Sequence, residues 1–195
     1  MEGLQGCGIL LSMEDNPRKT KVPRKATRRY LENAAEHYLS RFATTTAHFR
    51  KVMMRKVTLS ARHHGTDPEE GTAIIDELVS RFQRVGVLDD AQYAELRTGS
   101  LHRRGGSKRM IGAKLKQKGL DDETIETAYN SLSEESDDPE LDAATAFAKR
   151  RRLGPYRTRQ GKEGQHQKDL AAMARAGFSY DLATRVLGPP EESWD

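Results

Sequence analysis

Gly86 to Asp122 reads GVLDDAQYAELRTGSLHRRGGSKRMIGAKLKQKGLDD, and the order of signals in this run decides the fold. Asp89 is placed to cap a helix, with Gln92 three residues on as its capping-box partner, and Tyr93, Ala94 and Leu101 mark that helix's inner side. Gly105-Gly106 breaks the chain, Ser107 caps a second helix carrying Ile111 and Leu115, and Gly119 stops it. Asp121 then caps a third helix, on which Ile125, Ala128, Tyr129 and Leu132 keep 3.6-residue spacing. Three short helices packed into one unit are the natural product of this pattern.

The same grammar extends both ways. Upstream, Leu31, Ala34, Ala35, Tyr38 and Phe42 follow helical spacing, as do Phe49, Val52, Met53 and Val57. Asp67-Pro68 opens a helix with Ile75, Leu78, Val79 and Phe82 on one side, ended by Gly86. Downstream, Asp138-Pro139 opens a helix with Leu141, Ala144, Phe147 and Ala148, ended by Gly154-Pro155. Tyr156 to Gly164 reads as a loop. Leu170 and Met173 mark the next helix, Gly177 stops it, and Ser179 caps a last one with Ala183, Val186 and Leu187. LKQKGLDDETIETAY from Leu115 aligns on MARAGFSYDLATRVL from Met173 at a constant offset, with Gly119 on Gly177 and Asp121 on Ser179. The expectation is an all-α array of three tandem three-helix repeats over 27–87, 88–136 and 137–188, with tails at 1–26 and 189–195.

Composition agrees with an elongated array. Hydrophobic residues are 35% and charged residues 32% of 195, and mean hydropathy is −0.81. That is lean for one deep core but suits helices that each bury a single stripe. The single cysteine, Cys7, excludes an intrachain disulfide and fits a reducing cytoplasm, the expected location. No run approaches the roughly 20 apolar residues of a membrane span. Leu4-Gln5-Gly6-Cys7 lacks the leader of a lipoprotein box, and Met13 is an alternative start.

The net charge of +4 is segregated. Arg18 to Arg29, Arg103 to Lys118 and Lys149 to Lys162 each hold seven bases and no acid, whereas Asp121 to Asp142 holds ten acids and no base. Such patterning steers a chain toward a polyanion or an acidic protein groove. The first candidate surface is Arg103, Arg104, Lys108, Arg109, Lys114, Lys116 and Lys118, around a helix N-terminus whose free N–H groups favour anions. The second is Lys149, Arg150, Arg151, Arg152, Arg157 and Arg159. Four consecutive bases cannot share one helix face, so some point to solvent or a partner.

Catalysis finds no support. The Asp-Asp pairs stand where helices begin, so Asp89 and Asp121, with Asp67, Asp138 and Ser179, read as structural caps, and the second aspartate of each pair as a dipole partner. His63-His64 has no metal-ligand context, and Ser107-Lys108 lacks phosphate-loop spacing. No metal, no cofactor and no enzymatic activity are expected.

With these residues in hand, the chain resembles the RecX family of regulatory proteins from about Tyr30 to Leu187. GVLDDAQYA (Gly86 to Ala94), the spacing of Ile111, Leu115 and Lys118-Gly119, and Arg175-Ala-Gly-Phe-Ser carry the likeness. Ser107 stands where the family often has proline, and the first unit diverges around His63-His64-Gly65. The resemblance implies a curved row of three three-helix repeats that lodges in the groove of the RecA–DNA filament. It also implies restraint of strand exchange, ATP hydrolysis and coprotease activity, in DNA repair and the SOS response. The implied partners are RecA, its filament and DNA phosphates, with no membrane and a monomeric protein. The competing reading is a sequence-specific helix-turn-helix regulator, against which the acidic helix after Gly119 counts.

Overall fold

The computed structural model describes residues 22–134, 136–158 and 164–189. Among them are nine α-helices and no strand: α1 (Arg28–Leu39), α2 (Thr46–His64), α3 (Pro68–Arg84), α4 (Asp90–Arg103), α5 (Lys108–Gln117), α6 (Asp122–Asn130), α7 (Pro139–Arg151), α8 (Gln165–Ala176) and α9 (Tyr180–Leu187). Short 3-10 turns follow α6 and α7. None of these helices is long and apolar enough to cross a membrane.

Each consecutive trio of helices builds its own core. Leu31, Phe49, Met53, Val57, Ile75 and Phe82 join α1 to α3. Ala94, Leu101, Ile111, Leu115, Ile125 and Tyr129 join α4 to α6. Ala144, Phe147, Leu170, Met173, Leu182 and Val186 join α7 to α9. Three separate clusters bear out the all-α tandem-repeat architecture, because an amphipathic stripe can hide only against its own two neighbours. In the first unit α3 reaches α2 through Gly71, where a Cβ would stand 2.5 Å from Val57 Cγ1.

Local chemistry starts the helices. Asp67, Asp89, Asp121, Asp138 and Ser179 accept from the amides of Glu69 (2.8 Å), Gln92 (2.9 Å), Thr124 (2.7 Å), Leu141 (3.0 Å) and Leu182 (3.2 Å). The Thr124 amide also holds the Asp121 carboxyl below its usual range. Thr27 and Thr45 cap α1 and α2 in the same way.

Three expectations need correction. Helix α1 ends at Leu39, so Phe42 leaves the inner stripe, stacks on Tyr38 at 5.2 Å and stays exposed. Helix α7 ends one turn before Gly154, with Arg152 in the left-handed conformation at φ 56°. The segment before Thr27 is also held in place: the Ala26 amide donates to Ser60 Oγ (2.8 Å), and His64 Nε2 meets the Pro23 carbonyl (2.7 Å). Residues 1–21, including Cys7, Met13 and the first bases of the Arg18 cluster, lie outside the described residues.

Candidate partner-binding surface

The units meet through a device used twice. Thr45, wholly buried at the start of α2, accepts from the His48 amide and donates its hydroxyl to the Lys118 carbonyl at the end of α5 (2.5 Å). Ser107, wholly buried at the start of α5, accepts from the Met110 amide (3.2 Å) and donates to the Ala176 carbonyl at the end of α8 (2.6 Å). In return the later unit offers a carboxylate. Asp90 accepts from the Thr46 amide (2.7 Å), and Glu140 accepts from the Lys108 amide (3.0 Å). Glycines permit the approach, since a Cβ on Gly119 would meet that of Ala47, and one on Gly177 would meet Ser107 Oγ, both at 2.5 Å.

This device revises two readings. Asp90 is a cap for the neighbouring unit's α2, more specific than a dipole partner for its own helix. The start of α5 is likewise no open anion site, because Ser107 and Glu140 already serve its first amides. Glu140 also accepts from Tyr129 Oη (2.6 Å); burial, and then this bond, push the phenol well above its ordinary range.

The first basic set consequently divides. Lys108 pairs with Glu126 (2.6 Å) and lies 5.0 Å over the Tyr129 ring. Lys116 pairs with Asp122 (2.6 Å). Lys118, half-buried, turns its ammonium toward His48 Nε2 (3.4 Å) in the first seam; desolvation, then the charges of Lys118 and Lys51, hold that imidazole below its usual range. Arg109 reaches the Ala174 carbonyl (3.5 Å) across the second seam. Arg103, Arg104 and Lys114 remain exposed, without an ion-pair partner among the described residues.

The second set divides too. Arg157 is half-buried and bonded to Asp169, which is 2% exposed. Asp169 Oδ2 also accepts from the Gly154 amide (2.9 Å), and Oδ1 accepts from Gln165 Nε2 (3.1 Å). Burial alone would raise this carboxyl, but the Gly154, Gln165 and Arg157 bonds bring it below its ordinary value. Asp169 thus fastens the turn after α7 to α8. Nothing in the sequence singled it out, since a helix-borne aspartate usually faces water. Lys149, Arg150, Arg151 and Arg152 are exposed, the first over Tyr156 (5.5 Å) and the next two against the Phe147 ring (5.6 and 5.9 Å). Arg159 lies outside the described residues.

The second seam sets the α4–α5 turn against α7. Gly105 abuts the Phe147 backbone so closely that a Cβ could not fit. Arg103 and Arg104 therefore flank one side of a contact whose other side carries Arg150 and Arg151. The segments that carry these arginines, more than forty residues apart in sequence, thus meet at one backbone contact. Four exposed cations there can bind phosphates or carboxylates by charge-assisted hydrogen bonds. Among the described residues no group of three or more His, Cys, Asp or Glu side chains is arranged to hold a metal ion.

Comparison with known proteins places these features in context. Residues 89–128 match a family model described as "RecX, second three-helix domain". The chain is 41% identical over 171 residues to the Regulatory protein RecX of Myxococcus xanthus, covering 87% of this chain and 90% of that one. It is 33% identical to the Agrobacterium fabrum protein of the same name, with 84% of each covered. The crystal structure of RecX from Lactobacillus salivarius superimposes with a TM-score of 0.58 at 21% identity, over 82% of this chain and 93% of that one.

Proposed function

Since the chain belongs to the RecX family of regulatory proteins, we propose that it binds the RecA recombinase and its filament on DNA and restrains their activities. The activities affected are strand exchange, ATP hydrolysis and coprotease function, in the control of DNA repair and the SOS response. The role is regulatory and not catalytic, and a partner assembled on DNA places the protein in the cytoplasm. The observation that carries this reading is the likeness to the Myxococcus protein across nearly the whole chain.

The three-unit division over 27–87, 88–136 and 137–188 belongs to the same proposal. Each unit presents a wet helical surface while its core stays private, which suits a long groove better than a compact ligand. Arg103, Arg104 and Lys114, with Lys149 to Arg152, are the residues assigned to polyanion contact. Duplex reading by a recognition helix is disfavoured, because α6, which follows the Gly119 turn, opens with Asp122 and Glu123.

The deciding experiment compares affinity for free RecA, bare DNA and the assembled filament as salt is varied, alongside RecA ATP hydrolysis and strand exchange. Inhibition of both RecA activities is expected. A salt slope of about −0.9 per phosphate displaced would identify contacts to duplex DNA. No effect on either RecA activity at several-fold excess refutes the proposal.

A further inference from the structure

A second concentration of positive charge lies on the outer face of α2. From 37 to 66 the chain has six lysines and arginines and no acid. The helical repeat gathers His48, Lys51, Arg55, Leu59 and Arg62 on one face of α2, opposite the buried Phe49, Met53, Val57 and Ser60. Lys51, Arg55 and Arg62 are exposed, and none has an ion-pair partner among the described residues.

The remaining cations of the unit are placed differently. Arg28, Arg50 and Arg81 pair with Glu77, Asp76 and Glu36, and Lys56 lies over the Tyr30 ring (5.7 Å). Asp90, the carboxylate at the start of α2, accepts from the Thr46 amide, half a turn round the helix from Arg55. At that same end the row meets a further cation from the second unit, because Lys118 Nζ lies 3.4 Å from His48 Nε2. The charges acting on His48 are those of Lys118 and Lys51, both of one sign. Lys51 and Arg55 stand one turn apart, where like charges repel and weaken a helix. Among the described residues no carboxylate pairs with either, so the row is complementary to an external polyanion.

The kind of polyanion follows from what the row lacks. A protein partner draws its affinity from buried aromatic or aliphatic anchors, and here the row offers only Leu59, 37% exposed. Phosphates need only charge and hydrogen-bond donors. From Lys51 to Arg62 the helix rises about 16 Å, the length of about five nucleotides along one strand of a duplex.

We propose that the outer face of α2 binds the sugar-phosphate backbone of a nucleic acid, with Lys51, Arg55 and Arg62 on phosphates and Lys118 adding positive potential at one end. The inference rests on the polyanion contact proposed above and deepens it with a second surface, on the first unit. Its test uses bare nucleic acid, so the row and the regulatory reading can fail separately.

The full chain is titrated by fluorescence anisotropy into a labelled oligonucleotide, single-stranded and duplex, over a range of salt. A variant with Lys51→Gln, Arg55→Gln and Arg62→Gln is compared with one carrying Arg28→Gln, Arg81→Gln and Arg84→Gln, which removes the same charge from the α1–α3 side. The row variant should bind about tenfold more weakly than the parent. Its salt dependence should be shallower by about 0.9 per lost cation on duplex or about 0.7 on single strand, and the form showing the fall is the one the row holds. The α1–α3 variant should stay within about twofold of the parent, and Arg55→Gln alone should lose one step of slope. If the triple change at the row unfolds the chain, as circular dichroism would show, Arg55→Gln carries the test. Equal weakening of the two triple variants would mean general charge attraction and overturns the proposal. So does a parent that binds neither oligonucleotide at about 50 mM salt. Row-dependent binding of a glutamate-rich peptide, tighter than that of either oligonucleotide, assigns the face to an acidic protein segment and also overturns it. RecA ATP hydrolysis is followed with the same proteins. Inhibition by the parent, with equal DNA binding by the two triple variants, overturns the row and leaves the regulatory reading standing. Row-dependent DNA binding without inhibition supports the row and refutes that reading.

Discussion

Replacing Ser107 by alanine removes two hydrogen bonds with different addresses. One is the cap on α5, accepted from the Met110 amide, and the other crosses to the Ala176 carbonyl in the next unit. Losing a serine cap costs about 1 kcal/mol. A carbonyl left without its donor costs about 1–2 kcal/mol more, since Ala176 is only half-buried and water can recover part of it. The expected loss is therefore about 2–3 kcal/mol. Ser179 supplies an internal reference, because it caps α9 through the Leu182 amide and bridges no seam. Ser179→Ala should cost about 1 kcal/mol. Urea unfolding of the three proteins at one pH measures both quantities. Units with private cores unfold as coupled neighbours, so a loosened seam should also broaden the Ser107→Ala transition and lower its apparent m-value. If the two variants lose the same stability with the same m-value, the hydroxyl bridge contributes nothing and the account of the seam is wrong.

Three further outcomes follow from single contacts. Asp169→Asn should destabilise by about 3 kcal/mol, because it strands a partly buried arginine. In the parent, the Asp169 carboxyl is depressed in the folded state, so its contribution is complete above about pH 4 and is lost as pH falls through the folded value; acid titrations of stability should show this slope in the parent and a shallower one in Asp169→Asn. Arg152→Gly should raise stability by about 1 kcal/mol, by relieving a left-handed residue at the α7 terminus; a loss on thermal or urea unfolding would contradict that assignment. Gly71→Ala should cost about 1–3 kcal/mol, since the new methyl meets Val57 between α2 and α3, and a neutral result would mean that α3 can shift freely.

What the sequence made readable was whatever is settled within one turn of helix. Asp89 and Asp121 are followed by amides that they cap, and Gly119 and Gly177 end their helices, so spacing alone locates them. Phe42 misled because periodicity continues on paper after the helix has stopped. The candidate surface was less readable for a related reason. Lys108, Lys118 and Arg157 look like Arg103 in sequence, yet each is engaged by a residue that only packing brings near: Glu126, His48 and Asp169. Glu140 is the clearest case, since nothing around it in sequence points to α5. Sequence reports a residue's own helix well and its neighbour's helix poorly.

The hydroxyl bridge also gives the array a direction. At both seams the earlier unit supplies the hydroxyl and the later unit supplies the carboxylate, as plug and socket. A reversed unit would set plug against plug, so the order of units is written into the joints as well as into the chain. The third unit breaks the succession, because α8 begins at Gly164, which has no side chain to extend. The coupling is thus handed on twice and then withheld, and a fourth unit would find no hook at that helix.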